Sequence, residues 1–264
     1  MKKSHIAIFD SGIGGFTTLI DAVRILPEEN FLYYADTKNV PYGNKSIETV
    51  RQLTMDAVAD MLKYNVKAVI LACNTATSAG ASRLRSEYSI PIIGMEPAVK
   101  LALQSTQKNT KARRVLLMST TLTMNGEKLG KLLETFDKQK LVDCIALPEL
   151  VEMAERMEFS GKNVLEFFRH LLHQYDLENY GAIVLGCTHF IWYKELLKKI
   201  LPTHIQLIDG NLGTIHHLKR LLEENKIIEQ GKQKGEVLLH FTKESDPFVF
   251  QKLVEQLKCN VKLV

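Results

Sequence analysis

The sequence predicts an α/β protein of two similar lobes, each with a mainly parallel sheet and with the active site between the lobes. Three observations carry this expectation. Residues 68–77, AVILACNTAT, form an apolar run that stops at Cys73 and turns at once into small polar residues. A continuous apolar run of this length is how a strand buried on both faces of a parallel sheet reads. The same pattern returns in residues 182–191, AIVLGCTHFI, so that Ala68, Ile70, Leu71 and Cys73 correspond to Ala182, Val184, Leu185 and Cys187. Elsewhere, short apolar runs alternate with segments of helical periodicity, the order of a βαβ protein. Length allows one large domain or two lobes. The duplication favours two, residues 1–97 with 209–264 and residues 98–208, the chain leaving the first lobe near Glu96 and Pro97.

Composition excludes several classes. With 45% hydrophobic and 24% charged residues the chain reads as an ordinary globular protein. Its net charge of +4, from 34 basic and 30 acidic residues, is too even to imply a nucleic-acid partner. The densest basic stretch, Lys108 to Arg114, reads as a solvated loop. Near the N-terminus the apolar run Ile6 to Phe9 is too short for a signal-peptide core, and no segment approaches a membrane span. Cys73, Cys144, Cys187 and Cys259 lack CxxC spacing, which suggests reduced thiols in a cytoplasmic protein. Cys144 and Cys259 read as packing residues.

In the first lobe, strand HIAIF runs into Asp10, Ser11 and the glycines of DSGIGG, and a helix with Phe16, Leu19, Ile20 and Val23 on one face follows. The glycines let backbone amides approach an anion, although a tight strand-to-helix turn needs nothing more. Strand FLYYAD ends at Asp36, and the proline turn VPYGNKS leads to Ser46, a helix cap. The next helix returns the chain to the strand ending at Cys73. Asp10, Asp36 and Cys73 thus share the carboxyl ends of successive strands, where open α/β sheets bind ligands. Asn74, Thr75, Thr77 and Ser78 favour a helix N-terminus, whose amides and dipole stabilise a nearby thiolate. A thiol in apolar surroundings would instead be inert, and the polar loop favours the reactive reading.

In the second lobe, strand RVLLMS leads into the hydroxyl-rich residues 120–123, able to bind an anion or simply to cap a helix. In PELVEM, Glu149 and Glu152 are candidate acids or plain surface charges. The spacing predicts a helix from Ser160 to Leu177, on which His170 and His173 lack a third metal ligand and read as solvated or packing residues. After Cys187 come Thr188 and His189, the latter a credible acid/base partner or a turn cap. Strand IQLID, a helix from about Thr214 to Asn225, strand EVLLHF and a last helix with Phe248, Leu253, Val254 and Leu257 complete the core.

Two matched thiols suit one chemistry in particular. Inverting a carbon centre by proton transfer needs one base to remove a proton from one face and an acid to return one on the other. The carbanion needs donors around the adjoining carboxylate, as an oxyanion hole supplies them, and Ser/Thr loops and glycine turns can do so.

Taken in order, FDSGIGG, DTKNVPYG, ACNTAT, PELVE and GCTHF resemble the glutamate racemases of the cofactor-independent aspartate/glutamate racemase superfamily, over essentially the whole chain. The resemblance implies that Cys73 and Cys187 are the catalytic acid/bases, assisted by Asp10 and His189 respectively, with Asp36 and Glu152 as further acidic positions in proton transfer. It implies a substrate site lined by Asp10, Ser11, Pro41, Tyr42, Gly43, Asn74, Thr75, Thr120, Thr123 and Thr188. It also implies glutamate as substrate, neither pyridoxal phosphate nor metal, a bacterial cytoplasmic homodimer, and D-glutamate supplied to peptidoglycan. Neither nucleic acid nor membrane is an expected partner. The chain departs from the family at Ile191, two residues after the CTH histidine, and at Ile145 after Cys144, where proline is usual. Alternatives are a racemase of aspartate or another acidic amino acid, a hydrolase with Cys187 as nucleophile and His189 as base, and a non-catalytic amino-acid-binding protein.

Overall fold

The computed structural model describes residues 4–107, 113–231, 233–243, 247–257 and 259–264. Residues 108–112 of the basic stretch and the side chain of Phe248 lie outside that description. The chain divides into two compact units, Met1–Met95 with Asn211–Val264 and Glu96–Gly210.

The first unit begins with β1 (His5–Asp10), α1 (Phe16–Ile25), β2 (Asn30–Ala35), α2 (Ile47–Met61), β3 (Val66–Leu71), α3 (Asn74–Glu87) and β4 (Ile92–Gly94). The second contains α4 (Val99–Thr106), β5 (Arg114–Ser119), α5 (Thr121–Met124), α6 (Glu127–Phe136), β6 (Val142–Ala146), α7 (Pro148–Glu155), α8 (Lys162–Leu172), β7 (Tyr180–Leu185), α9 (Lys194–Ile200) and β8 (Gln206–Ile208). The first unit is completed by α10 (Asn211–Glu224), β9 (Glu236–Phe241), α11 (Pro247–Glu255) and β10 (Asn260–Leu263).

Both sheets are parallel among the described residues, in the orders β10-β9-β2-β1-β3-β4 and β6-β5-β7-β8. The first four strands of each unit therefore have the same arrangement. The likeness reaches the register. Pairing of β1 with β3 slips by one residue between His5↔Val66 and Ile6↔Ala68, and β5 with β7 slips at the matching place, between Arg114↔Tyr180 and Val115↔Ala182. The ends of the cysteine strands match too: Ala72 N–H donates to Phe9 O at 2.8 Å and Gly186 N–H to Met118 O at 2.8 Å. The repeat legible in ten residues is thus a repeat of whole sheets.

The central strands β1, β2 and β7 are buried along their length, as strands covered on both faces must be. Ser46 caps α2, its hydroxyl accepting from Thr49 N–H at 3.1 Å, and Val50, Ala57, Val58 and Met61 turn inward. The helix expected from Ser160 to Leu177 is shorter, ending at Leu172. Tyr175 leaves the helical path to set its ring edge-on to Tyr180 at 5.7 Å, and a tight turn from Tyr175 N–H to Leu172 O closes the end. Helix α10 begins earlier than expected, at Asn211, whose buried side chain accepts from Thr18 Oγ1 at 2.8 Å. Strand β10, only four residues long, was not anticipated because so short a run carries little periodicity. Cys144 and Cys259 are half-buried, and desolvation raises both thiols away from thiolate formation. Among the described residues no helix is long and apolar enough to cross a membrane.

Candidate active site

In the first unit the reactive groups gather at the carboxyl ends of β1, β2 and β3. Asp10 ends β1 and is completely buried, its Oδ1 accepting from Gly12 N–H at 3.1 Å. The glycine turn is required by close approach: a Cβ on Gly15 would stand 2.7 Å from Asp10 Cβ. Cys73 lies just beyond β3 as the N-cap of α3, its Sγ accepting from Ala76 N–H at 3.4 Å. The thiol also reaches Ser11 Oγ at 3.7 Å. Small residues after Cys73 leave room for a regular helix, so the sulfur takes a place that a serine or aspartate oxygen more often fills.

Asp36 is buried and serves as an anchor. Its carboxylate accepts from Tyr42 Oη at 2.6 Å, from Thr242 Oγ1 at 2.8 Å and from Asn39 Nδ2 at 3.0 Å. Pro41, Tyr42 and Gly43 form the turn this anchor holds, entered by a cis Val40–Pro41 bond. Burial, then the bond to Asp36, raises the Tyr42 phenol far above its usual range, with Cys73 and Asp10 adding to the effect. Tyr42 thus remains a neutral hydroxyl close to both.

In the second unit Cys187 follows β7 after Gly186, where a Cβ would meet Met118 O at 2.8 Å. Here the repeat breaks down. Instead of an α-helix, a 3-10 segment Thr188–Tyr193 follows, built of bulky THFIWY. Trp192 stacks on Phe159 at 4.8 Å, and Tyr193 Oη donates to Leu150 O at 3.2 Å. These contacts pack the segment against α7. Cys187 Sγ lies 3.7 Å from His189 Nδ1, and His189 Nε2 lies 2.5 Å from Glu155 Oε1. His189 is only 2% exposed. Burial by itself would push its pKa down, but hydrogen bonds to Cys187 and Glu155 and their charges prevail, holding it well above the ordinary value.

The other sequence candidates fall around these two centres. Thr120 caps α5, accepting from Thr123 N–H at 3.3 Å, and the two hydroxyls meet at 3.0 Å. Thr75, Asn74 and Thr188 are buried beside their cysteines. Glu152 and Glu149 are exposed on α7; the carboxylate on His189 is that of Glu155, one turn beyond Glu152. His170 on α8 and His173 just past its end are exposed and border an open hollow with Arg169, Asp176 and Lys199. No cluster able to hold a metal occurs among the described residues.

Sequence reasoning missed Glu155 and Ser119. Ser119 ends β5 as Asp10 ends β1, is fully buried, and its Oγ lacks a protein partner; the same holds for Asn74 Oδ1. Buried polar atoms left unpaired are costly; Ser119 ends β5 and Asn74 opens α3, and a polar ligand at either would satisfy it. The paired strand ends could have exposed Ser119. Nothing in the local sequence distinguishes Glu155.

The family model of Asp/Glu/Hydantoin racemase matches residues 17–218, a span that includes both cysteines. The chain belongs to the Asp/Glu/Hydantoin racemase family. It is accordingly an enzyme of the isomerase class, an amino-acid racemase. The chain is 40% identical over 254 residues to a glutamate racemase from Halothermothrix orenii, covering 96% of this chain and 99% of that protein. It is 45% identical over 238 residues to one from Campylobacter curvus, covering 89% and 88%. Among solved structures, glutamate racemase from Francisella tularensis in complex with D-glutamate superposes with a TM-score of 0.81 at 28% identity, covering 100% of this chain and 98% of that one. The family match begins after Asp10 and Ser11, so the assignment of those two residues rests on the geometry around them.

Proposed function

We propose that this racemase interconverts L-glutamate and D-glutamate, with Cys73 and Cys187 as the two acid/bases. The observation that carries the reading is the pairing of like with like: a cysteine beyond the third strand of each of two equivalent sheets, each with hydrogen-bonding partners. Substrate identity is supported by the relatives, which are glutamate racemases.

In the forward sense one thiolate removes the α-proton while the other thiol gives a proton to the opposite face. The second cysteine is left as thiolate, ready for the reverse reaction. Two-base transfer requires both sulfurs to reach the same carbon. Asp10 and Ser11 assist at Cys73; His189 takes up or returns the proton of Cys187 through Nδ1. Charge on the planar carbanion is met by donors at the carboxylate, for which Ser119, Thr120, Thr123 and Thr188 supply hydroxyls, while Asn74 Oδ1 is free to accept from the substrate ammonium. Asp36 acts through Tyr42, which it holds beside Cys73. The D-glutamate formed would serve peptidoglycan synthesis in a bacterial cytoplasm, the enzyme working as a homodimer without pyridoxal phosphate or metal.

The test is proton NMR of each enantiomer in heavy water, with chirality followed in parallel. Loss of the α-proton signal together with the opposite enantiomer is expected, and either Cys73→Ala or Cys187→Ala abolishes turnover in both directions. The chain Cys187–His189–Glu155 also has the form of a hydrolase's nucleophile, base and orienting acid. That second reading is favoured if Cys73→Ala keeps activity and a covalent adduct accumulates on Cys187. No exchange with glutamate but exchange with aspartate would move the substrate assignment.

A further inference from the structure

We propose that Glu155 is a positioning residue for the Cys187 half-reaction: it fixes the ring of His189 with Nδ1 toward Cys187 and opposes the positive charge the ring gains on taking the thiol proton. The inference rests on the reading of Cys187 as one of the two bases and adds the group that prepares it.

Geometry carries the argument. The imidazole is buried and bridges two partners, Sγ of Cys187 at 3.7 Å on Nδ1 and Oε1 of Glu155 at 2.5 Å on Nε2. A carboxylate can only accept, so Nε2 carries a hydrogen. If Nδ1 is bare it can take the thiol proton; the S–H bond breaks, the N–H bond forms, and thiolate and imidazolium result with Nε2–H still on Glu155. Glu155 opposes the positive charge that this transfer creates, as the carboxylate of a catalytic triad does. Its side chain is 20% exposed against 2% for the ring, so the carboxylate keeps some solvation while the charge it stabilises has none.

Among the described residues, the groups that act on the ring are Glu155 from α7 and Cys187 from the end of β7. Tyr193, on the histidine's own segment, is bonded instead to Leu150 O, and its phenol is pushed up by burial first and then by Glu158. Arg156 and Glu158 pair with each other at 2.7 Å, and Glu152 is exposed. The placement of Glu155 depends on tertiary packing, because the Phe159–Trp192 stack and the Tyr193–Leu150 bond hold α7 against the 3-10 segment. The equivalent chemistry in the first unit is different: positions matching Ser119 and His189 hold Asp10 and Thr75, so each thiol has its own means of handling a proton.

The experiment follows the His189 ring by NMR in the full chain with labelled histidine, and maps iodoacetamide alkylation of Cys187 and Cys73 at pH 7 by mass spectrometry. In Glu155→Gln the proton affinity of His189 should fall at least about tenfold, which is one pH unit. Alkylation of Cys187 should slow in parallel while that of Cys73 stays within about twofold, and kcat should fall about 100-fold, the cost of a misplaced catalytic group. Glu155→Asp, which keeps the charge, should recover part of each effect, and Glu152→Gln should leave both the His189 titration and the Cys187 alkylation unchanged. An unchanged His189 titration in folded Glu155→Gln, or an equal change in Glu152→Gln, overturns the proposal. If Glu155→Gln fails to fold, Glu155→Asp decides by the same readouts: a lowered His189 affinity with slowed Cys187 alkylation supports the role, and wild-type values for both refute it. None of these ring and alkylation measurements needs glutamate. Failure of the racemisation reading would show separately, as absence of α-proton exchange in the wild type.

Discussion

Replacing Gly15 by alanine should damage catalysis far more than stability. The added methyl carbon would lie 2.7 Å from Asp10 Cβ, 2.9 Å from its Cγ and 3.0 Å from its Oδ2. Carbon atoms pack comfortably at about 3.5–4.0 Å, so a gap of roughly 1 Å has to open. The backbone is no obstacle, since Gly15 has φ −67° and ψ −5°, right-handed values open to alanine. The cost is therefore steric, and it falls on a carboxylate with no exposed surface and with Oδ1 tied to Gly12 N–H. Overpacking of this kind costs about 1–3 kcal/mol. The alanine recovers about 0.4–1 kcal/mol by restricting the unfolded chain, leaving a net loss of between about 0 and about 2.6 kcal/mol. With Asp10 in its proposed role beside Cys73, a displacement of about 1 Å is worth about 100-fold in rate. Urea denaturation measures the first quantity and α-proton exchange the second. Gly130→Ala is the control: it lies within α6 with no atom within 4 Å of the added methyl, and should stabilise by about 0.5–1 kcal/mol with turnover unchanged. Wild-type turnover in Gly15→Ala, or an equal loss of stability in Gly130→Ala, would refute the packing argument.

Two further outcomes follow from buried charge. Lys67 Nζ meets Glu29 Oε2 at 2.7 Å with side chains 10% and 1% exposed, so Lys67→Met strands a buried carboxylate and should cost about 3–5 kcal/mol in urea denaturation. Adding Glu29→Gln should recover most of it; a single substitution costing under about 1 kcal/mol would contradict the burial. His189 has a folded-state pKa above its unfolded value of about 6.5. Its protonation therefore contributes stability that is fully present below about pH 6.5 and is lost as pH rises through the folded value. The stability difference between wild type and His189→Gln should shrink along that rise; a difference independent of pH between 6 and 10 would mean the ring is neutral in the fold.

Much of this protein was written locally. The apolar runs at 68–71 and 182–185, each cut off by a cysteine, mark strands buried on both faces, and burial on both faces demands helices above and below. A short-range pattern can therefore announce a parallel sheet and the end of the strand where its chemistry lies. The positions of Asp10, Asp36, Cys73 and Cys187 at or just beyond strand ends were legible for that reason. The motifs also carried the family, because their order along the chain is itself local information.

Which carboxylate meets His189 was decided elsewhere. Glu152 and Glu155 lie on neighbouring turns of one helix, and the choice between them is made by how α7 docks, through Phe159 on Trp192 and Leu150 O on Tyr193. The anchoring role of Asp36 is equally remote, since Thr242 reaches it from beyond β9, on the segment that rejoins the first unit. Ser119 ends a strand in the sequence and in the structure alike, and only the pairing sets it in the position of Asp10. The sequence by itself determined the strands, their ends and the two thiols, because these depend on residues a few positions apart. Only the tertiary structure decided what each thiol and acid touches, because those distances depend on side chains brought together from segments far apart in the chain.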